Sequence, residues 1–189
     1  MISNPFISYL SSFGQINQQA REAIYFRLSS FRLEKDELLM KEGQVCQRLF
    51  FLVKGCVRGY HYRDGREVTS WFGFENDIVT SFRSFIDQHP GHEYIQAIEP
   101  ASGWSIGRHD LYELYLSHPS IERLGRVTCE QYYIRLEDRY VRSHFKTAGQ
   151  RYEDLLKTNP HFLQRVPLGY IASYLGISQE TLSRIRAKK

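Results

Sequence analysis

The spacing of apolar residues divides the chain into a helical start, a long β-rich part and a helical end. Between residues 6 and 28, apolar side chains recur three or four positions apart, which predicts two short amphipathic helices. The period then changes, and β-branched and aromatic runs such as 48–53 and 68–74 alternate with turn residues. Short strands with a turn about every 8 to 12 residues are typical of an all-β sandwich or barrel. Asp64-Gly65 is the clearest hairpin turn, because glycine tolerates the positive φ that a tight turn needs.

A helical pattern returns after residue 108, first as a short helix over residues 110–116. A long helix then runs from Pro119 to about Ser143, with only one glycine and no further proline. Apolar residues form two stripes along this long helix. The first stripe, which we expect to form the dimer seam, consists of Leu124, Val127, Ile134 and Val141, and the second of Ile121, Thr128, Tyr132 and Leu136. A helix with two apolar faces must bury two sides, so we expect one face on the β domain and the other against the same helix of a second subunit. Burial of the whole helix in its own core is the alternative, which a small β domain is poorly able to provide.

The segment Val166–Arg186 carries the most specific pattern in the chain. Pro167 suits the first turn of a helix, where no backbone N–H is needed, and Gly176 permits the left-handed conformation of a turn. Ser178 is placed to cap a second helix. Apolar residues face inward from both helices: Ile171, Ala172, Leu175, Leu182 and Ile185. This order predicts a helix-turn-helix, with an ordinary pair of antiparallel helices as the alternative.

The outward side chains of the second helix are polar, as they are in a helix that contacts DNA. Gln179, Glu180 and Arg184 are expected to reach base edges in the major groove, where their donors and acceptors suit adenine, cytosine and guanine in turn. A second group is expected to contact phosphates: Ser178, Thr181, Ser183, Arg186, Lys188 and Lys189. Residues 144–189 carry eight Lys or Arg against three acidic residues, whereas the first 143 residues carry 17 against 18. Such a local basic excess favours a nucleic-acid partner.

Composition narrows the class of protein further. The high aromatic content, with 13 Tyr and 12 Phe, excludes wholesale disorder. No apolar run approaches the ~18 residues of a membrane span, and residues 1–10 lack the pattern of a signal peptide, so we expect a cytoplasmic protein with no membrane partner. The chain has three cysteines, Cys46, Cys56 and Cys129, which are far apart in the sequence. An odd number at such spacing predicts reduced, mostly buried thiols rather than disulfides or a metal site.

Together these features resemble the CRP/FNR superfamily, which comprises the cyclic-AMP receptor protein and its relatives. The matching segments are 35–43 and 49–57 in the sensor half and 147–152, 171–172, 175–178 and 180–184 in the C-terminal part. The resemblance implies an α+β chain in three parts. These are a cyclic-nucleotide-binding-like β-roll (a double-stranded β-helix) with N-terminal helices over residues 1–118, a dimerisation helix over 119–145 and a helix-turn-helix domain over 146–189. It also implies a transcription regulator that binds double-stranded DNA as a homodimer, at half-sites about one helical turn apart, with RNA polymerase as a further partner.

The chain departs from the nucleotide-binding members of this family at the position of their ligand. Those members use Gly-Glu-Leu followed by Arg-Ser or Arg-Thr, in which the glutamate binds the ribose and the arginine binds the cyclic phosphate. The corresponding residues here lack both charged groups. They are Thr80, Ser81, Phe82, Gly91 and His92, with Arg83 as the nearest substitute for the lost arginine. We therefore expect an effector pocket at these residues whose unidentified ligand is not cyclic AMP.

No cofactor or metal is expected. There is no cysteine before Cys46 for an N-terminal iron–sulfur cluster, and His89 and His92 have no third ligand nearby. Haem bound through His61 or His89 stays an alternative, although a lone histidine is more often a surface or core residue. Family members continue into a β-hairpin wing after the helix-turn-helix, whereas residues 187–189 follow it here, so we expect most of the wing to be lacking.

Two other functions stay open at this point. A cupin-like metalloenzyme shares the β-helix architecture, but it needs a His-x-His pair. The chain contains no such pair, and no nucleophile elbow, P-loop or HExxH motif, so we expect no enzyme activity. A sensor that acts through a protein partner without binding DNA is the second alternative, and a DNA shift assay distinguishes it from a DNA-binding regulator.

Overall fold

The computed structural model describes residues 3–158 and 162–187, which form nine helices and eight strands. The helices are α1 (Pro5–Ser11), α2 (Gln18–Tyr25), α3 (Phe82–Asp87), α4 (Arg108–Ser117), α5 (Pro119–Phe145), α6 (Ala148–Thr158), α7 (Phe162–Arg165), α8 (Leu168–Tyr174) and α9 (Gln179–Ala187). The strands are β1 (Leu28–Leu33), β2 (Leu38–Met40), β3 (Arg48–Lys54), β4 (Val57–Arg63), β5 (Arg66–Gly73), β6 (Ile78–Val79), β7 (Tyr94–Ala97) and β8 (Ala101–Gly107). The predicted order of helices, strands and helices is confirmed, and α3 and α7 are additions that are too short to show a periodic pattern.

The two N-terminal helices each begin at an asparagine. The side-chain oxygen of Asn4 accepts the backbone N–H of Phe6 at 3.0 Å, and that of Asn17 accepts the N–H of Ala20 at 2.8 Å. The first N–H groups of a helix have no partner within it, so these caps satisfy them locally. Phe6 then packs on Phe51 of β3 with the ring centroids 5.2 Å apart, which places α1 on the core of the β domain.

The strands form two four-stranded antiparallel sheets of a β-roll. One sheet has the strand order β1-β8-β3-β6 and the other has the order β2-β7-β4-β5, so each combines early and late strands of the domain. Residues of both sheets share one core, in which Phe51, Leu52, Val57, Ile95 and Ile106 are at most 1% exposed. The predicted α+β fold with a β-roll is therefore confirmed.

The hairpin between β4 and β5 has the predicted turn. Asp64 and Gly65 adopt φ values of 51° and 73°, which match the primed turn that suits twisted strands. In the same hairpin Gly59 permits close packing, because a Cβ there would lie 2.1 Å from the ring of Trp71. Strand β5 forms an edge of its sheet, and this edge meets the C-terminal helices.

Over its first half the long helix α5 lies against the β-roll, which is the part of the chain predicted to be the sensor. Ile121 and Leu124 are only 2% and 1% exposed and belong to the β-roll core. Further along, the ring of Tyr132 stacks on Phe82 of α3 with the centroids 4.0 Å apart. One face of the helix is therefore covered by its own chain, while many residues after 129 remain exposed.

The C-terminal helices share a core with part of the β-roll. The buried members of this shared core are Cys56, Ile98, Tyr152, Phe162, Val166, Ile171, Ala172, Leu175 and Leu182. Cys56 and Ile98 lie in the sensor part, whereas the other seven belong to α6–α9 and their connections. The C-terminal helices are therefore packed on the sensor, and the division of the chain into separate domains stays a prediction.

Candidate DNA-binding helix and effector cleft

A tight turn joins α8 to α9. Gly176 has a φ of +65°, and its N–H donates to the Ser173 carbonyl at 3.0 Å. The N–H of Ile177 donates to the Ala172 carbonyl, also at 3.0 Å. These two bonds form a Schellman motif, which ends a helix by satisfying carbonyls that lack helical partners. The glycine thus sets the angle between the two helices.

Helix α9 begins at the predicted cap. The Ser178 hydroxyl oxygen accepts the N–H of Thr181 at 3.2 Å. Leu182, one turn into the helix, is 1% exposed and fixes the inner face of α9 on the shared core. The opposite face is left outward, so the local chemistry produces a helix-turn-helix with one buried and one free face.

The three residues predicted to reach base edges are all exposed on α9. The Ser178 hydroxyl and the backbone N–H of Glu180 hold the pKa of that carboxyl below its usual range, and the nearby charge of Arg184 acts in the same direction. Glu180 is therefore an acceptor only. Gln179 lies over α8, because a Cβ on Gly169 would approach its amide nitrogen to 2.7 Å. Glu180 lies in the first turn of α9 and Arg184 in its last turn.

The residues predicted to contact phosphates surround this group. Ser183 and Arg186 are exposed, and Thr181 is half-buried with its hydroxyl 3.2 Å from that of Ser178. Ser178 and Thr181 thus take part in the cap of α9, and their contact with phosphates stays a prediction. Lys188 and Lys189 lie outside the described residues.

The hydroxyl of Ser173 joins helix α8 to the edge strand β5 by hydrogen bonds. Thr69 of β5 donates its N–H to Ser173 Oγ at 2.9 Å, and the Ser173 hydroxyl donates to the Glu67 carbonyl at 3.0 Å. An edge strand presents unpaired N–H and C=O groups, and this side chain satisfies one of each. The helix-turn-helix therefore covers part of the sheet edge.

A buried charge lies beneath the same helix. Arg58 of β4 is 1% exposed, and its guanidinium donates to the Gln96 amide oxygen at 2.8 and 3.0 Å and to the Glu67 carboxylate. The guanidinium also lies between the rings of Tyr60 and Tyr170, at 4.1 and 3.7 Å from their centroids. A buried cation needs such partners to offset its lost hydration. Because Tyr170 belongs to α8, this sensor residue also holds the helix-turn-helix.

An ion-pair cluster completes the contact between sensor and helices. Arg165 of α7 donates from two nitrogens to the Glu75 carboxylate at 2.7 and 2.8 Å, and from Nε to Glu99 at 3.1 Å. The N–H of Gly55 also donates to Glu75, at 2.8 Å. The bonds from Arg165 lower the pKa of Glu75 to about 2, against the opposing effect of burial. Sequence patterns did not indicate Arg58 or Arg165, because their partners are distant in the chain.

A large cleft opens between the sensor, α5 and the helix-turn-helix. Its volume is about 1010 Å³, and it is bounded by β5, the middle of α5, the start of α6 and residues 173–176. Aromatic rings form much of its wall: Trp71, Phe72, Phe82, Tyr132 and Tyr140. A small molecule in this cleft would touch both the sensor and the turn that positions α9.

The predicted effector residues only partly face this cleft. Thr80 and Phe82 line it, whereas the buried Ser81 and Gly91 and the exposed His92 do not. Arg83, expected to replace the missing arginine, has a side chain that is 79% exposed and pairs with Asp87 at 3.4 Å. The short helix α3 thus turns Arg83 toward solvent and away from the cleft, and its role as an anchor stays a prediction. Four other arginines line the cleft: Arg135, Arg139 and Arg142 on α5, and Arg151 on α6. The three on α5 are spaced at i, i+4 and i+7, so the sequence alone could have placed them on one helix face.

The residues predicted for the dimer seam divide between two environments. Leu124 is corrected, because it is 1% exposed and lies in the core of its own chain. Val127 is half-buried, whereas Ile134 and Val141 are 49% and 44% exposed. Leu136 of the second stripe is also exposed, and three further exposed apolar residues of α5 belong to neither stripe: Tyr133, Tyr140 and Phe145.

The described residues also bear on cofactors and membranes. Cys46 and Cys56 are buried free thiols, and Cys129 is an exposed one. Within residues 3–158 and 162–187, no three His, Cys, Asp or Glu side chains are grouped so that they could hold a metal ion. In the same ranges no helix combines the length and apolar character that crossing a membrane requires.

The sensor part matches a known sequence family. Residues 30–118 match the sequence model of the cyclic nucleotide-binding domain. No curated protein matches the chain in a sequence comparison. The match covers most of β1, the other strands of the β-roll, α3 and α4, so this part of the chain is similar to domains of the cyclic nucleotide-binding type.

Solved structures extend this likeness to the C-terminal helices. FixK2 from Bradyrhizobium japonicum has a TM-score of 0.71 at 22% identity, over 85% of this chain and 83% of that one. A transcriptional regulator of the crp/fnr family from Eubacterium rectale gives 0.74 at 17% identity, over 94% and 85%. The c-di-GMP responsive regulator CLP from Xanthomonas campestris gives 0.68 at 17% identity, over 91% of both chains. The chain therefore has the fold of CRP/FNR regulators, and the resemblance predicted from its sequence is confirmed at this level.

Proposed function

We propose that this protein is a dimeric transcription regulator that reads double-stranded DNA with α9 and senses a small molecule in the cleft beside α5. The observation that carries the proposal is the α8–α9 pair, in which a Schellman turn and a serine cap leave one polar helix face exposed. A short helix pair that served only as core would not need to present Gln179, Glu180 and Arg184 outward. These side chains offer the donor and acceptor pattern of direct base contacts.

The exposed face of α5 supports a dimer. Val127, Ile134 and Val141 recur every seven residues, and Tyr133 and Tyr140 flank them with the same period. A seven-residue repeat of apolar side chains is the pattern of paired helices, and an exposed apolar stripe of this length is unusual on a monomer. A two-fold axis along α5 gives each dimer two copies of α9, which suits a DNA site with two half-sites.

The loop after β6 supports an effector other than cyclic AMP. Ser81 supplies no charged group, Gly91 supplies none, and the guanidinium of Arg83 faces solvent. A cyclic phosphate taken from water without a charge-assisted hydrogen bond loses much of its binding free energy. We accordingly assign the sensing role to the cleft and not to a nucleotide phosphate at this loop.

Selection from random DNA tests the DNA-binding role. Wild-type protein should enrich a motif with two-fold symmetry, and Arg184→Ala should relax the preference at one base pair of each half-site. Arg63→Ala is a matched control, because it removes the same charge from the exposed tip of the β4–β5 hairpin. A protein that acts through a protein partner alone would enrich no motif in any of the three forms, and that result would refute the proposal.

A further inference from the structure

The acidic side chains that line the cleft all take part in ion pairs, whereas most of its arginines do not. Its three acidic side chains each have a cation: Asp77 pairs with Arg135 at 3.0 Å, Glu75 with Arg165, and Asp154 with Lys146. Of the cations that line it, only Arg135 is used in these pairs. The cleft therefore contains more arginine than its own carboxylates neutralise.

Three arginines account for this excess. Arg139 donates to the Ser70 carbonyl at 2.9 Å, and Arg142 donates through Nε to the Asp138 carbonyl of its own helix at 3.2 Å. Among the residues that the structure describes, Arg151 donates only to backbone carbonyls, including that of Leu175 at 2.6 Å. Within the part of the chain that the structure describes, none of the three has a carboxylate within 4.0 Å. Each guanidinium has five N–H donors, so all three keep donors for a further partner.

The spacing of these residues places the charge on one side of the cleft. Positions 135, 139 and 142 follow each other at i, i+4 and i+7, so they share one face of α5, and Arg151 lies one turn into α6. Aromatic side chains of β5, α3 and α5 supply the remaining wall, among them Trp71, Phe82 and Tyr132. A cationic side beside flat apolar surfaces fits a ligand that has an anionic group and a planar body.

We propose that the cleft binds an organic anion with a planar apolar body, held at its anionic group by Arg139, Arg142 and Arg151. The inference rests on the proposed sensing role and names the ligand class. The anionic group lies on the α5–α6 side and not at the β6–α3 loop, where the resemblance places the phosphate of cyclic nucleotides. Because Arg151 also bonds the Leu175 carbonyl, which precedes the turn into α9, a ligand on Arg151 is coupled directly to the position of the DNA-binding helix.

The chain contains its own reporter for this site. Of its two tryptophans, Trp71 lines the cleft and Trp104 lies on β8, so Trp104→Phe leaves a single tryptophan at the site. The probe is 8-anilinonaphthalene-1-sulfonate, a sulfonate on a planar naphthalene ring that accepts energy from tryptophan. N-phenyl-1-naphthylamine has the same aromatic body without the sulfonate and serves as the neutral comparison.

The single-tryptophan protein should bind the sulfonate with energy transfer from Trp71. The double variant Arg139→Gln, Arg142→Gln should weaken sulfonate binding by about 10-fold or more, since hydrogen bonds to charged groups are lost, and should leave the neutral dye within about two-fold. Replacement of both arginines by lysine should retain most of the preference for the sulfonate. Arg126→Gln is the matched control, because that residue lies on the same helix outside the cleft and pairs with Glu130.

Three results would overturn the inference. One is equal weakening of both dyes in the glutamine variant, and another is no weakening of either. The third is a loss of dye binding when the protein concentration is raised and dimers form. That loss would show that a second copy of the chain fills the cleft. Gel shifts on the same proteins separate this inference from the proposed function: DNA binding without sulfonate preference refutes only the ligand class, and sulfonate preference without DNA binding refutes only the DNA-binding role.

Discussion

Replacement of Arg165 by glutamine removes the cation that joins the sensor to the C-terminal helices. Glu75 and Glu99 would then lie close together without a positive charge between them. Glutamine keeps a donor and much of the side-chain volume, so the main change is the loss of the charge. We expect the folded protein to be destabilised at neutral pH and its C-terminal helices to be held less firmly.

The magnitude follows from the pKa of Glu75. Its lowering from 4.5 to about 2 corresponds to about 3 kcal/mol if the carboxylate were fully shielded from solvent. The side chains of Glu75 and Arg165 are 33% and 27% exposed, however, and solvent screening reduces the contribution of such pairs. We therefore expect the substitution to lower the free energy of unfolding by about 1–2 kcal/mol at pH 7.

The sign of the pH dependence is fixed by the direction of the shift. A carboxyl with a lowered folded-state pKa stabilises the protein above its unfolded pKa of about 4.5, and this contribution is lost as the pH falls toward about 2. The difference between wild type and Arg165→Gln should accordingly be largest at pH 7 and shrink between pH 4.5 and 2.

Urea denaturation at several pH values, at one fixed protein concentration, measures this difference. The control is Arg126→Gln, which breaks an exposed ion pair within α5 and should change the free energy of unfolding by less than about 0.5 kcal/mol. A difference for Arg165→Gln that stays constant from pH 7 to pH 3, or that equals the control, would show that the Glu75 pair does not stabilise the interface.

Four further predictions concern the proposed function. Arg184→Ala should weaken binding to the cognate site by about 1–3 kcal/mol, whereas Lys188→Ala should weaken all sequences equally and flatten the salt dependence; equal behaviour in a salt titration would contradict the assignment. Ile134→Glu should increase the monomer fraction in sedimentation at micromolar concentration, and an unchanged dimer would place the seam elsewhere. Ser178→Ala should cost about 1 kcal/mol of stability through loss of the α9 cap, measured by thermal unfolding, and no loss would exclude a capping role. Calorimetric titration with cyclic AMP should give no saturable heat in the micromolar range, and saturable binding would restore a nucleotide site.

Local chemistry explains what the sequence predicted well. Gly176 and Ser178 set the turn and the cap through bonds that reach only a few residues, so their roles are evident from the order of residues alone. The same holds for Asp64-Gly65, whose positive φ values the hairpin requires. Such signals need no knowledge of the rest of the fold.

Long-range contacts explain what the sequence did not predict. Arg58 and Tyr170 meet only because α8 packs on β4 and β5, and neither residue belongs to a local pattern. Leu124 fits the dimer stripe by period, yet the β-roll buries it, since both core and seam require apolar residues at helical spacing. Periodicity shows that a face is buried, but it does not show which partner covers it.

The hydroxyl of Ser173 has a consequence for protein solubility. Strand β5 is a sheet edge, and open edges recruit strands from other chains into aggregates. As long as α8 stays in place, Ser173 occupies the N–H of Thr69 and the carbonyl of Glu67, and no incoming strand can pair there. Any movement that lifts the helix-turn-helix from the sensor opens this edge. Conformational freedom in this protein is therefore linked to aggregation, and a substitution that loosens α8 should shorten the time that concentrated protein remains in solution.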